Sequence, residues 1–452
     1  MEDVSGQGME ILMEFKNWSG SVRVTPASFV QPDTVDEVRD IVRASKCIRA
    51  VGAGHSFSPV AATSGTLLNL DRLSGIVSAD RESSRVRFRG GTRLRDIPAL
   101  LEPYGLALAN QGDINAQSLA GAVSTGTHGT GLQFTGFAGM VTGVTIVNAS
   151  GELVDVADSD PNFPFYVVHL GLLGILVEIE IQCVPAFDII AVEEQLPLAE
   201  IEETFVDRAK VTDHVEFFWF PHSEHVLLKS NTRVPGGADA PAELSGAPFR
   251  SRFARTLSEE VIDNGGLRVA LEAGSRFPKV VPTINRIATK IASGRTYRGP
   301  AHEVFVSPRR VRFNEMEYAV PAENGIAAFT EIRTMIDGGD WRISFPIEVR
   351  IAGADTVPLS TAYGRDSTYI AVHRFVRDPY KEYFTAVEEI LARHGGRPHW
   401  GKIHSRSSKY LESAYPLLGQ FRDLVETTDP EGRFGTPYLD RIFLGKSRPA
   451  VS

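Results

Sequence analysis

Cysteine is scarce in this chain. Cys47 and Cys183 are the only two in 452 residues. That excludes a disulfide-stapled scaffold and a four-cysteine zinc site, and it suits a reducing compartment. Long apolar runs are missing too. The most apolar stretch, VVHLGLLGILVEIEI at 167–181, carries His169, Glu178 and Glu180. A spanning helix needs about 20 apolar residues, so this stretch reads as a turn and a strand. The N-terminal string MEDVSGQGMEILMEF is acidic and has no apolar h-region, so it is no secretory signal. Positive charge is in deficit: 47 Lys and Arg against 56 Asp and Glu give a net charge of −9. Such a chain is a poor binder of nucleic acid or anionic membranes. No internal repeat occurs. With 42% apolar and 23% charged residues, the chain is neither disordered nor fibrous. A soluble, cytoplasmic protein of about three folding units is expected.

Glycine is in slight excess, and its placement is informative. Before that, the periodicities set the frame. Apolar Val35, Val38, Ile41 and Val42 predict a helix capped by Thr34. IRAVG, LLNLDRL, IVSA and RVRFRGG read as short strands, and RLRDIPALLEPYG as a helix ending at Gly105. VTGVTIVNASGELVDV reads as a hairpin turning at 149–151, and VEIEIQCVP as a strand. Residues 188–232 alternate apolar and polar residues over three strands. The stretch 233–252, rich in Gly, Pro, Ala and Ser, reads as an inserted loop, with helical periodicity near 256–292. FNEMEYAVP, FPIEVRIAG and STYIAVHRF read as strands, with NGIAAFTEIRTMI and YKEYFTAVEEILARHG as helices. The class is α+β, with a second α+β unit built on an antiparallel sheet.

Four strings carry possible chemistry. VGAGHSFSP at 51–59 places Gly52 and Gly54 after a strand and before His55 and Ser56. Glycines bring backbone N–H groups close to an anion; the string also fits a tight turn with an exposed histidine. It is not the G-x-G-x-x-G fingerprint, since Phe57 stands at the third glycine position. The run 111–131, QGDINAQSLAGAVSTGTHGTG, offers hydroxyls and backbone donors and little core. It fits a wall around a flat or phosphorylated ligand, or a flexible linker. In FPIEVRIAG, Glu348 and Arg350 lie at i and i+2 and share a strand face. They fit a grip on a polyol or a solvated ion pair. RPHWGKIH brings Lys402 beside Gly401, between His399 and His404. No third ligand stands nearby, so no metal is expected there, and Lys402 alone reads as a surface charge. His373 in YIAVHRF alone reads as a core histidine.

Taken together and in this order, the four strings resemble the sugar-lactone and alditol oxidases of the vanillyl-alcohol-oxidase flavoprotein family, from about Asn17 to Gly445. The resemblance implies a two-subdomain FAD-binding domain of PCMH type over residues 1–187. It implies an α+β substrate-binding cap over 188–395, and a segment 396–452 returning to the FAD domain. FAD is implied to be covalent through His55. Val51, Gly52, Ala53, Gly54 and Ser56 would lie along the cofactor. So would Gln111, Gly112, Asp113, Ser118, Gly121, Ser124 and Thr125, and beyond them Thr127, His128, Gly129 and Gly131. Gly174 and Ile175 match the adenine side, and His399 and Lys402 the ring side. Glu348, Arg350, His373 and Lys402 match the substrate side.

The implied reaction oxidises a CH–OH group of an aldono-1,4-lactone by hydride transfer to flavin N5, with O2 or another acceptor taking the electrons. His373 is the first choice of base and Glu348 the second. Alternatives are an alditol oxidase and, in a different class, a non-catalytic flavin- or sugar-binding protein. The latter has no need of Arg350 and Lys402. A nicotinamide dehydrogenase is disfavoured by the missing fingerprint.

Overall fold

The computed structural model describes residues 13–236, 264–291, 294–307 and 311–445. Most of the loop expected at 233–252, and the start of the helical stretch near 256, lie outside the described residues. The expected helix forms at Val35–Ala44, with the Thr34 hydroxyl accepting the Glu37 N–H as N-cap. It packs on a three-stranded parallel sheet of Ser28–Val30, Thr66–Asn69 and Ile48–Val51. Beside it lies a five-stranded antiparallel sheet. In that sheet the strand Ile175–Gln182 sits centrally, and the hairpin Val141–Val147 and Leu153–Ala157 forms one side.

An eight-stranded antiparallel sheet forms the other half of the molecule. Its pleat decides where the chemistry goes. In Phe313–Pro321, Met316, Tyr318 and Val320 enter a core beneath helices, as do Ile347, Val349 and Ile351 of Ile347–Ala352. Ile370 and Val372 of Ser367–Phe375 follow, with Val215, Phe217 and Trp219 of His214–Trp219. The alternate positions therefore share the opposite face: Glu216, Glu315, Glu317, Glu348, Arg350 and His373. Register aligns Glu216 with Arg350 and Glu315 with His373. A slip of one residue would turn this whole polar set into the core.

Three elements depart from the sequence reading. Leu198–Val211 is a helix between two of the strands expected in 188–232. Its apolar residues Leu198, Ile201, Phe205 and Ala209 follow the helical period and are buried. Helices at Ser408–Ala414 and Leu418–Thr428 were not expected either. They carry Leu411, Leu418 and Phe421 into the same core as Phe88 and Leu119. The run 111–131 does supply core: Ser118 caps a helix at Leu119–Ser124, and Leu119 and Val123 are fully buried.

Candidate active site

Two cavities meet in the cleft between these halves. The first, of about 990 Å³ with part open to solvent, is walled by the 51–56 loop, Gly90 and Gly91, the 117–125 segment and Gly174. The second, of about 800 Å³, lies under the polar face of the large sheet. His55, Ser56, Gln117 and Thr125 line both, so the two form one channel.

The first cavity is built by close approach. A Cβ on Gly52 would stand 2.1 Å from Ser118 Oγ, and one on Gly91 would stand 1.8 Å from the Leu70 carbonyl. Two of the loop's carbonyls are held from the N-terminal side: Trp18 N–H donates to Gly54 O at 2.7 Å and Asn17 Nδ2 to Ser56 O at 3.0 Å. No described residue accepts from the N–H groups of residues 52–56. Such a row of open donors is an anion cradle. Arg49 lies behind it, buried and donating only to the carbonyls of Val60, Leu170, Gly171 and Phe434. His169 is fully buried on the same wall, and neither ring nitrogen has a partner among the described residues. Open N–H groups, an uncompensated guanidinium and an unsatisfied imidazole fit a long ligand with anionic groups in its middle. FAD is such a ligand.

The second cavity is built by mutual clamping. Arg350 Nε donates to Glu216 Oε2 at 2.8 Å, and its Nη2 reaches Glu348 and, at 3.6 Å, Asp113. Lys229 stands 3.7 Å behind Glu216. Burial disfavours the charge on Arg350, but the surrounding carboxylates outweigh it and lift its pKa well above the usual value. Lys402 Nζ lies 2.5 Å from Glu315 Oε1 and 5.3 Å over the Phe57 ring. Burial opposes its charge, and Glu315 and Glu317 reverse that, so its pKa is raised. Burial would lift the Glu315 carboxyl, yet Lys402 and His373 bring it down to about 2. The pair is a fixed ion pair. His373 Nε2 lies 3.5 Å from Glu315, and its Nδ1 lies 3.4 Å from the Pro346 carbonyl. Both nitrogens therefore face oxygen atoms of the protein.

His128 stacks on Tyr369 at 3.6 Å between centroids, donates from Nδ1 to Gly129 O and brings Nε2 within 3.4 Å of Glu317. His399 completes a buried trio with these two. Its Nδ1 accepts the Gly401 N–H at 3.0 Å, which places the ring proton on Nε2. With one nitrogen bonded and the other protonated, His399 offers a metal no lone pair.

Val51 through Ser56, Ser118, Gly121, Ser124, Thr125 and Gly174 line the first cavity. Gly112, Asp113, Thr125, Thr127, His128, Glu348, Arg350, His373, His399 and Lys402 line the second. Four expected cofactor contacts lie on neither wall. Ile175 follows Gly174 in a strand, so its side chain turns the other way into a core with Val38 and Leu68. Gln111 is buried behind the wall, its N–H bonded to Asn110 Oδ1. Gly129 packs on Asn110 and Gln111, and Gly131, at φ +122°, packs on Asp213 and Phe134. These two glycines serve chain packing. Glu315 and Glu317 are not among the residues expected from the sequence, where FNEMEYAVP reads as a plain strand. Two carboxylates at i and i+2 in an otherwise apolar strand were the available signal. Trp18, Gln117, Arg49 and His169 were also passed over.

Residues 179–442 match the family described as D-arabinono-1,4-lactone oxidase, and residues 26–157 match the FAD binding domain. The chain belongs to the D-arabinono-1,4-lactone oxidase family. It is 35% identical to the L-gulono-1,4-lactone dehydrogenase of Mycobacterium tuberculosis, over 95% of this chain and 98% of that protein. It is 29% identical to the L-gulonolactone oxidase of Mus musculus, again over 95% and 98%. Identity to the alditol oxidase of a Streptomyces species is also 29%, over 95% and 99%. Among solved structures, cholesterol oxidase from B. sterolicum superposes with a TM-score of 0.81 at 18% identity, covering 95% of this chain and 96% of that one. That likeness shows the shared fold, an FAD-binding domain with an antiparallel cap. The chain is thus an FAD-dependent oxidoreductase of this family. No described helix is long and apolar enough to cross a membrane.

Proposed function

We propose that the chain oxidises a CH–OH group of an aldono-1,4-lactone, using FAD joined covalently to His55. The observation that carries this is the position of Arg350 and Lys402. Two clamped cations line a cavity that continues directly into the anion-cradling channel. Residues 1–187 with 396–452 act as the FAD-binding unit and 188–395 as the cap. In support, Leu411, Leu418 and Phe421 share the core of Phe88, while the core beneath the large sheet is drawn from residues 198–391.

When bound, FAD supplies a hydride acceptor at flavin N5. The chain supplies the rest. His55, at the junction of the cavities, is pushed down to about 4 by burial, with Lys402 and Arg93 adding to it. Its neutral imidazole is the form able to make a bond to carbon. Arg350 and Lys402 stabilise negative charge developing on the substrate oxygen. Glu348 takes the hydroxyl proton, and His373, with Nε2 3.5 Å from Glu315, orients Glu315 and through it Lys402. Dioxygen or another acceptor removes the electrons. Two free cysteines suit a cytoplasmic setting.

The test is anaerobic mixing with a panel of aldonolactones and open-chain polyols while the blue flavin band is followed. Bleaching by a lactone supports the reading. Bleaching by polyols alone would move the assignment to alditols, which the identity to the Streptomyces alditol oxidase favours as second reading. A flavin that neither class bleaches would remove the catalytic reading.

A further inference from the structure

We propose that Trp18 is a positioning residue that sets the ring plane of His55 for its bond to the flavin. The inference rests on the assignment of His55 made above.

The N-terminal hairpin pairs Phe15–Lys16 with Arg23–Val24 and holds Trp18 in its turn. From there it grips the glycine loop on both sides of His55. The Trp18 N–H donates to the Gly54 carbonyl, and the Asn17 amide donates to the Ser56 carbonyl. The Trp18 indole stacks on the His55 imidazole, with 5.5 Å between centroids and 23° between planes. The indole is itself wedged. Phe313 meets it edge-on at 5.1 Å and Phe57 at 6.1 Å, so the stack is tied to the cap sheet and to the loop at once.

His55 needs such a support. No described residue hydrogen-bonds its ring nitrogens. An imidazole without a hydrogen bond turns readily about χ2, because terminal sp³–sp² torsions are broad. Bond formation to carbon requires the nitrogen lone pair to lie along the line of attack. A stacked indole keeps that plane while leaving both nitrogens open to the channel. A hydrogen bond would occupy one of them.

The step balances as follows. One methyl C–H bond of the flavin is broken and one C–N bond to His55 is formed. The imidazole N–H and the methyl carbon each release a proton. Two electrons are left on the flavin ring, and dioxygen takes them with two protons to give hydrogen peroxide.

The test uses the full chain with FAD, comparing wild type with Trp18→Leu, Trp18→Phe and His55→Ala. Each is supplied with FAD, sampled over time and precipitated with acid. Flavin in the pellet and total bound flavin before denaturation are both measured. Wild type should carry its flavin into the pellet and His55→Ala should not. Trp18→Leu should bind total FAD within about twofold of wild type yet attach it at least about tenfold more slowly. Trp18→Phe, which keeps a ring face, should recover most of the rate. A purely structural role would lower binding and attachment together, and that result would overturn the proposal. So would attachment in Trp18→Leu at the wild-type rate. Wild-type flavin found in the supernatant would instead remove the His55 assignment itself, and this inference with it. Should Trp18→Leu fail to fold, the Trp18→Phe and wild-type time courses carry the test. Attachment in Trp18→Phe as slow as in His55→Ala would then overturn the account.

Discussion

Four titratable side chains line the first cavity, Arg49, His55, Asp71 and His169, whereas ten line the second. The first works through backbone: glycines remove side chains so that N–H groups approach the ligand. The second works through side chains that hold one another: Glu216, Glu348 and Asp113 around Arg350, and Glu315 against Lys402. Damage should therefore differ in kind. Adding volume to the first should cost cofactor, while deleting charge from the second should cost stability or chemistry and leave the cofactor in place.

The largest effect is expected at Arg350. Arg350→Ala removes the cation that Glu216, Glu348 and Asp113 share, leaving Glu216 with Lys229 at 3.7 Å. Unpairing a buried ion costs about 3–5 kcal/mol, and chemical denaturation should show a loss of that order. Next, Lys402→Ala should slow flavin reduction by about 10²–10³, the usual cost of one donor aimed at developing charge. Its flavin content should match wild type in the absorption spectrum. In the first cavity, Gly52→Ala pushes against Ser118 Oγ, which caps the Leu119–Ser124 helix. Overpacking costs about 1–3 kcal/mol. Flavin per chain should fall after gel filtration, while reduction per remaining flavin stays near wild type. If Gly52→Ala instead retains flavin and loses rate, the division between the cavities fails.

The smallest effect is pH-dependent. The His214 Nδ1–H donates to Thr130 O at 2.7 Å, and its Nε2 accepts from Arg233 Nε at 2.9 Å. Burial, and to a lesser degree Arg233, holds it down at about 4. The unfolded chain binds that proton near pH 6.5. Between those values the unfolded state carries more protons, so stability falls as pH drops from about 6.5 to about 4. His169, His399 and His404, lowered by burial to about 3, about 3 and about 4, add in the same direction. The thermal midpoint should fall over this window. His214→Gln, which can still donate to Thr130 and accept from Arg233, should shallow the slope.

How much of this could be read beforehand follows the same division. The glycine loop, the 111–131 run and the Thr34-capped helix announce themselves through local composition and period. Glu348 and Arg350 are legible as same-face residues on a strand, and His373 enters through the family resemblance, yet their partners Glu216 and Glu315 come from other strands. Only the register of an eight-stranded sheet brings them together. Gln111, Gly129, Gly131 and Ile175 show the converse. They sit inside legible motifs, but a glycine can serve chain packing as well as a ligand, and a strand residue beside a wall residue faces away from it. The helices at Leu198–Val211, Ser408–Ala414 and Leu418–Thr428 were missed because the strand alternation and the motifs around them drew the reading.

On the proposal above, the first cavity holds the anionic stretch of the cofactor and the charged side chains of the second do the chemistry. Rapid anaerobic mixing of wild type and Lys402→Ala with L-gulono-1,4-lactone, at matched flavin content, tests it directly. Wild type should bleach promptly, and the variant should carry a full complement of flavin that bleaches slowly. Equal bleaching rates, or a variant that cannot hold flavin at all, would contradict it.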